Sequence, residues 1–263
     1  MEYKSSHIDD IYKYLCRNLI DAPEVNGTRE INNVKITLTN VSENIVGCRN
    51  ISEAYLLGEL LWYFTGRNDV EFISKFSSFW SRISDDGITS NSAYGYTLMR
   101  KYGFDQIKTI IKLLKSDPGS RRAVLNINEP NPFVKETKDE PCTIAIQFLL
   151  RNGKLNCTAM MRSNDIWLGF PYDVAFFTEL QKYIASELYV ECGEYTHFAT
   201  SLHVYNRDID KISHLKDDGT HMRIDSEKFH LFRDFAAYKV MHSSDPKREV
   251  VNIFKNYGIL EEY

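Results

Sequence analysis

The sequence predicts an α+β fold built on a mostly non-Rossmann sheet, for two reasons. Short β-rich runs cluster in its second half, after a strong turn at Asp117-Pro118-Gly119, and strands and helices mix without a strict strand-helix-strand rhythm. In chain order, residues 33–40 (NVKITLTN) alternate apolar and polar side chains as a half-buried strand does. Glu53–Phe64 (EAYLLGELLWYF) is apolar nearly all round and predicts a buried helix, closed by Gly66 and Asn68. Residues 104–114 (FDQIKTIIKLL) carry apolar side chains at helical spacing and stop at the turn. Strands are predicted at 123–127, 143–150 and 155–161, with Asn152-Gly153 as a hairpin turn between the last two. A long helix follows over 173–188, with Asp173 placed to start it, then a strand over 201–205.

No internal repeat, low-complexity tract or Pro/Gly-rich linker divides the chain, so residues 1–263 are expected to form a single domain. Apolar residues make up 43% and charged residues 26%, which excludes a disordered or fibrous protein. A net charge of −4 and a pI near 6.0 argue against a stable nucleic-acid partner, although a single mononucleotide needs only a local arginine cluster. Cys16, Cys48, Cys142, Cys157 and Cys192 stand at irregular spacings with no C-x-x-C pair, so neither a metal site nor a disulfide framework is expected. Reduced thiols fit a cytoplasmic protein. The first residues lack a signal-peptide core, and no run of about 18 apolar residues suggests a membrane span.

Several short patterns carry chemistry. Cys142 follows a proline at the mouth of a predicted strand, where a thiol lowered in pKa by nearby arginines could act as a nucleophile; a buried structural cysteine is the plain alternative. Arg121-Arg122 and Arg162-Ser163 offer guanidinium and hydroxyl groups suited to a phosphate, or are simply solvated. In residues 162–174 (RSNDIWLGFPYDV), Asp165 and Asp173 flank an aromatic, glycine-containing loop that could form a slot for flat rings, or merely cap helices. His203 and Tyr205 lie on one face of a strand, where they can bind a sugar hydroxyl or each other.

Together these residues resemble the thymidylate synthase superfamily: an arginine pair, a Pro-Cys nucleophile, a strand ending in Arg-Ser, an Asp-x-x-Leu-Gly-x-Pro-aromatic loop and His-x-Tyr. The resemblance runs from about Glu59 to Tyr205 and is loose over the first 30 and last 50 or so residues. It implies a large mixed sheet packed with helices, one sheet face forming a homodimer interface. It further implies that Cys142 adds to carbon 6 of a pyrimidine, activating carbon 5 toward the methylene group of the co-substrate 5,10-methylenetetrahydrofolate. Glu59 in Gly58-Glu59-Leu60-Leu61-Trp62 matches the glutamate that organises water and proton transfer, and Tyr94 lies near the nucleophile. Arg121, Arg122, Arg162 and Ser163 would hold the phosphate, the first pair reaching across from the partner subunit. Trp80, Asp165, Leu168, Gly169 and Tyr172 match folate-side positions, and His203 and Tyr205 would contact the sugar.

One departure sets the expected base. The synthases carry asparagine where Asp173 stands, and an amide donates to the 4-oxygen of uracil and accepts from its ring N3–H. Cytosine reverses both polarities, and a carboxylic acid can accept from the 4-amine while its proton serves N3. A site matched to one edge rejects the other by leaving buried groups unpaired. Thr143 after the nucleophile, Met161-Arg162-Ser163-Asn164-Asp165 and Ser-Leu-His-Val-Tyr at 201–205 are similar to the deoxycytidylate hydroxymethylases of T-even-type phages. Residues 256–263 also lack the short apolar tail with which synthases close over folate. The expected reaction is hydroxymethylation of dCMP. The alternatives are methylation of dCMP, hydroxymethylation of CMP, thymidylate synthesis from dUMP, and a catalytically silent nucleotide- or RNA-binding paralogue.

Overall fold

A computed structural model of the chain describes residues 1–129, 136–216 and 221–262; Tyr263, the end of the C-terminal stretch considered above, lies outside them. The elements run β1 (Glu2–Ser5), α1 (Ile8–Ile20), β2 (Glu24–Val25), β3 (Thr28–Leu38), α2 (Glu53–Phe64), α3 (Val70–Ile73), α4 (Phe79–Ile83), α5 (Tyr94–Met99) and α6 (Gln106–Ser116). They continue with β4 (Val124–Asn126), β5 (Thr143–Arg151), β6 (Lys154–Met161), β7 (Asn164–Asp165), α7 (Phe170–Leu188) and β8 (Glu191–Tyr205). Last come α8 (Ile209–Ser213), β9 (Met222–Ile224), α9 (Ser226–Met241), α10 (Pro246–Asn256) and β10 (Leu260–Glu262).

The main sheet is mixed, with order β1-β3-β8-β6-β5-β4; β2 pairs with β3, and β7 with β8. The β5–β6 hairpin turns at Asn152 and Gly153, both at positive φ (52° and 75°), which matches the right-handed twist of the strands. The last predicted strand, 201–205, is the end of a longer β8, which runs antiparallel to β3 and parallel to β6. Helices α1 and α7 pack on one face, over Val34, Ile36, Leu38, Leu155, Cys157, Ala159, Tyr195 and His197. Strand alternation turns Thr158, Met160, Thr196 and Phe198 to the other face, where they are only half-buried.

Helix α2 has the predicted bounds and is enclosed by α3, α5, α9 and α10, as its uniformly apolar sequence requires. It ends in a glycine-stopped turn: Gly66, at φ 63°, donates from its N–H to Tyr63 O, and Arg67 donates to Trp62 O. At Gly95, a β-carbon would come within 1.8 Å of Tyr63 O, so only glycine allows α5 to lie against α2. Helix α7 begins earlier than expected. Gly169 is its N-cap and Pro171 occupies the first turn, where a missing N–H costs nothing, so Asp173 is already helical and its side chain is released from capping.

Candidate functional site

Glu59 sits in the middle of α2 with only 6% of its surface exposed. Tyr55, one turn before it, donates to Glu59 Oε1 at 2.5 Å, and Trp80 Nε1 donates in turn to Tyr55 Oη at 3.0 Å. Burial pushes the Glu59 carboxyl up to about 8; the Tyr55 hydrogen bond opposes the rise and Asp173 adds to it. Glu59 therefore keeps its proton to higher pH than an ordinary carboxylate, and in that state it can donate one.

Asp173 projects from the first turn of α7 and accepts a 2.7 Å hydrogen bond on Oδ2 from Asn164 Nδ2 in β7. Burial raises its carboxyl to about 7, with the Asn164 bond pulling the other way. Gly169 keeps this contact open, since a β-carbon there would lie 3.0 Å from Asp173 Oδ2 and 3.2 Å from Asn164 Nδ2.

Cys142 stands just before β5, partly buried. The sequence led us to expect a depressed thiol pKa; burial instead raises it, and Arg162 is the group that resists. Arg162 clamps the cysteine loop: its backbone N–H donates to Cys142 O at 2.9 Å, Nε to Pro141 O at 3.0 Å and Nη2 to Glu140 O at 2.9 Å. A second anchor is Asp139, 3% exposed, which accepts from Ser90 Oγ (2.6 Å), Asn91 N (2.7 Å) and the Ser92 hydroxyl. That anchor ties the cysteine loop to the segment leading into Tyr94. Tyr94 is buried, stacks on Tyr63 at 5.2 Å and feels the charges of Asp173 and Cys142. Cys142, Glu59, Asp173, Tyr94 and Arg162 thus form one electrostatically coupled cluster.

The remaining expected residues flank this cluster. Ser163 Oγ lies 3.5 Å from His203 Nδ1, and His203 Nε2 lies 3.9 Å from Asp165 Oδ2. Tyr205 meets the His203 ring edge-on at 5.6 Å, and the Arg207 guanidinium lies over the Tyr205 ring at 4.4 Å. Asp165 Oδ1 accepts from the N–H groups of Trp167 and Leu168 at 2.7 Å each, whereas Oδ2 is buried without a hydrogen-bond partner. Tyr172 packs edge-on against Tyr55 at 4.8 Å, and Leu168 is 46% exposed. Arg121 and Arg122 do not join the cluster. Phe148 N donates to Ala123 O, so the pair sits beside the far end of β5, about 20 Å of extended strand from Cys142.

Tyr55 and Tyr63, at i−4 and i+4 from Glu59, could have been found from helical spacing alone. Asn164 in β7 and His197 in β8 meet through their side chains across 33 residues of chain, and nothing local marks them. Among the described residues no group of His, Cys, Asp and Glu side chains could hold a metal ion, and no helix is long and apolar enough to cross a membrane. A cavity of about 510 Å³ lined by Arg67, Asp69, Arg100, Tyr238 and His242 contains none of the cluster's residues.

The thymidylate synthase family model matches residues 7–240. The chain is 34% identical over 203 residues to a deoxyuridylate hydroxymethyltransferase of Bacillus phage SP01, covering 71% of this chain and 53% of that protein. It is 33% identical over 172 residues to a deoxyuridylate hydroxymethyltransferase of Pseudomonas phage M6, covering 64% of this chain and 49% of that one. The chain thus spans about half the length of these relatives. Its fold matches that of thermostable thymidylate synthase A from Bacillus subtilis with a TM-score of 0.69 at 24% identity, over 84% of this chain and 89% of the other. The chain belongs to the thymidylate synthase family.

Proposed function

We propose that the chain transfers a one-carbon unit from 5,10-methylenetetrahydrofolate to carbon 5 of dCMP with addition of water, giving 5-hydroxymethyl-dCMP and tetrahydrofolate. Cys142 Sγ adds to carbon 6, and the electron pair moves to carbon 5, which becomes the nucleophile. The folate supplies an electrophilic one-carbon unit when bound. Carbon 5 would bond to that unit; loss of the carbon 5 proton, with breaking of the unit's bond to the folate nitrogen, would release tetrahydrofolate and leave an exocyclic methylene group, to which water adds before the carbon 6–sulfur bond breaks to restore the ring and the thiolate. Glu59, with its raised carboxyl and its Tyr55 hydrogen bond, is assigned to proton relay. Arg162, Ser163, His203 and Tyr205 are assigned to phosphate and sugar. The unpartnered buried oxygen of Asp165, beside exposed Leu168, fits a folate-side hydrogen-bond acceptor, with Trp80, Gly169 and Tyr172 shaping the same side.

The observation that carries the choice of base is Asp173, a carboxyl held partly protonated near neutral pH where an amide would read uracil. The names of the two phage relatives favour hydroxymethyl transfer; they also favour deoxyuridylate, which is the second reading. Protein incubated with tetrahydrofolate, formaldehyde and either nucleotide decides between them by product mass. We expect 5-hydroxymethyl-dCMP from dCMP and little turnover of dUMP. A methylated product, or dUMP as the better substrate, overturns the assignment.

We further propose one catalytic domain acting as a homodimer in the cytoplasm, where the free cysteines stay reduced. Two observations support pairing through the sheet: the half-open face around Met160 and Phe198, and the distance of Arg121 and Arg122 from their own Cys142. Cys142→Ser and Arg121→Ala/Arg122→Ala variants are each expected to be nearly silent. Mixed and allowed to exchange, they should recover about a quarter of wild-type activity, because about half the dimers are hybrids with one intact site. No recovery, with hybrids formed, means the arginines act within their own chain.

A further inference from the structure

We propose that Asn164 and His197 are positioning residues that form a directional hydrogen-bond relay, fixing which oxygen of Asp173 accepts from the protein and which carries the acid proton. The inference rests on the dCMP reading above and deepens it. Asn164 and His197 are each 2% exposed, and Tyr195 is fully buried. Tyr195 Oη lies 2.8 Å from His197 Nδ1, His197 Nε2 lies 3.1 Å from Asn164 Oδ1, and Asn164 Nδ2 lies 2.7 Å from Asp173 Oδ2.

Two polarities of this chain exist on paper, and the chemistry separates them. His197 is neutral, since burial lowers its ring to about 3, so it carries one N–H. If that hydrogen is on Nε2, each contact joins a donor to an acceptor: the tyrosine hydroxyl donates to Nδ1, Nε2–H to the asparagine oxygen, and the asparagine amide to Asp173. This polarity serves either charge state of Asp173. If the hydrogen is on Nδ1, the asparagine amide must flip to donate to Nε2. Its oxygen then faces Asp173 Oδ2, which is tolerable only with a proton on that oxygen. The buried tyrosine hydroxyl hydrogen is also left without its acceptor, a costly state. The first polarity is the stable one.

Its consequence reaches the base. An oxygen that already accepts an N–H is the poorer place for a proton, so the acid hydrogen of Asp173 resides on Oδ1. That arrangement offers a donor for ring N3 of cytosine, while the spare lone pair of Oδ2 remains for the 4-amine. An amide at position 173 that reads uracil must set its NH₂ group on the 4-oxygen, in the place of Oδ2, where it faces the Asn164 donor and forces that side chain to flip. The native polarity of the relay is thus matched to a carboxyl at position 173, held in the register that cytosine needs.

The test measures kcat/KM for dCMP and for dUMP in the wild type and in His197→Phe, Asn164→Leu and His197→Gln. His197→Phe frees Asn164 to flip and Asn164→Leu deletes the donor, so both should lower the dCMP preference by roughly ten- to a hundred-fold. Glutamine can keep an N–H aimed at Asn164 and should hold the preference within about threefold of wild type. A purely structural role would lower both substrates equally and leave the ratio unchanged in all variants, which overturns the relay. Because the phenylalanine and leucine variants can fail to fold, ¹⁵N resonances of the wild-type His197 ring provide a second reading. A proton on Nε2 with bare Nδ1 is expected, and the opposite tautomer overturns the proposal. Wild type preferring dUMP sinks the base assignment itself, a result distinct from wild type preferring dCMP with the ratio untouched by His197→Phe.

Discussion

Replacing Cys142 by serine is expected to lower kcat for dCMP by roughly 10⁴-fold or more while leaving nucleotide affinity within about threefold, as removal of a covalent nucleophile does elsewhere. Serine occupies nearly the same space, and the loop around it is held independently of the sulfur. Arg162 bonds the carbonyls of residues 140 and 141, and Asp139 bonds Ser90 and Asn91. The variant should therefore bind and not react. The free enzyme adds a second expectation. Burial raises the thiol pKa against the pull of Arg162, so little thiolate exists at neutral pH and iodoacetamide should alkylate Cys142 slowly. Alkylation should accelerate as pH rises, and bound dCMP should block it. Kinetics on the purified variant and peptide mass mapping of the alkylated wild type check both. Serine at 142 retaining more than about one per cent of turnover would remove the covalent step from the mechanism.

How far this site could be read from the sequence depended on whether its signals were local. Glu59 was legible because a carboxylate in the apolar run Glu53–Phe64 is costly unless it has work to do, and the helix has those bounds. The hairpin at Asn152-Gly153 was legible because only a few residues accept positive φ in succession. Long-range relations were not legible. Strand β3 begins at Thr28, ahead of the predicted 33–40, because its polar first residues pair with the end of β8 that carries His203 and Tyr205, a partnership no local pattern announces. Asp173 looked like a helix cap because capping is what an aspartate before a helical run usually does. Pro171 in the first turn moved the helix start to Phe170 and left that carboxyl free to meet Asn164. The direction of the Cys142 shift was also beyond the sequence, since it depends on whether burial or Arg162 is stronger at that point.

Replacing Asp173 by asparagine is expected to invert the base preference, changing the dCMP-to-dUMP ratio of kcat/KM by roughly 10³-fold or more. An unmatched buried hydrogen-bonding edge is penalised far more heavily than a missing methyl group, and the substitution exchanges which base is matched. The pH dependence supplies an independent sign. Asp173 has its carboxyl raised to about 7, so the acid form needed for ring N3 is present below that value and lost as pH rises through it. Activity of the wild type on dCMP, divided by activity of the variant on dUMP, removes most of the Cys142 and Glu59 titrations, which are set chiefly by burial and only adjusted by Asp173. This quotient should be level below pH about 6 and fall about tenfold per unit above pH about 8. Stability follows the same sign: the native state holds a proton that the unfolded chain has released, so wild type should lose stability relative to the variant between pH about 4 and about 7. If base preference survives the substitution while the quotient stays flat with pH, another group reads the 4-position and Asp173 serves only to bind Asn164.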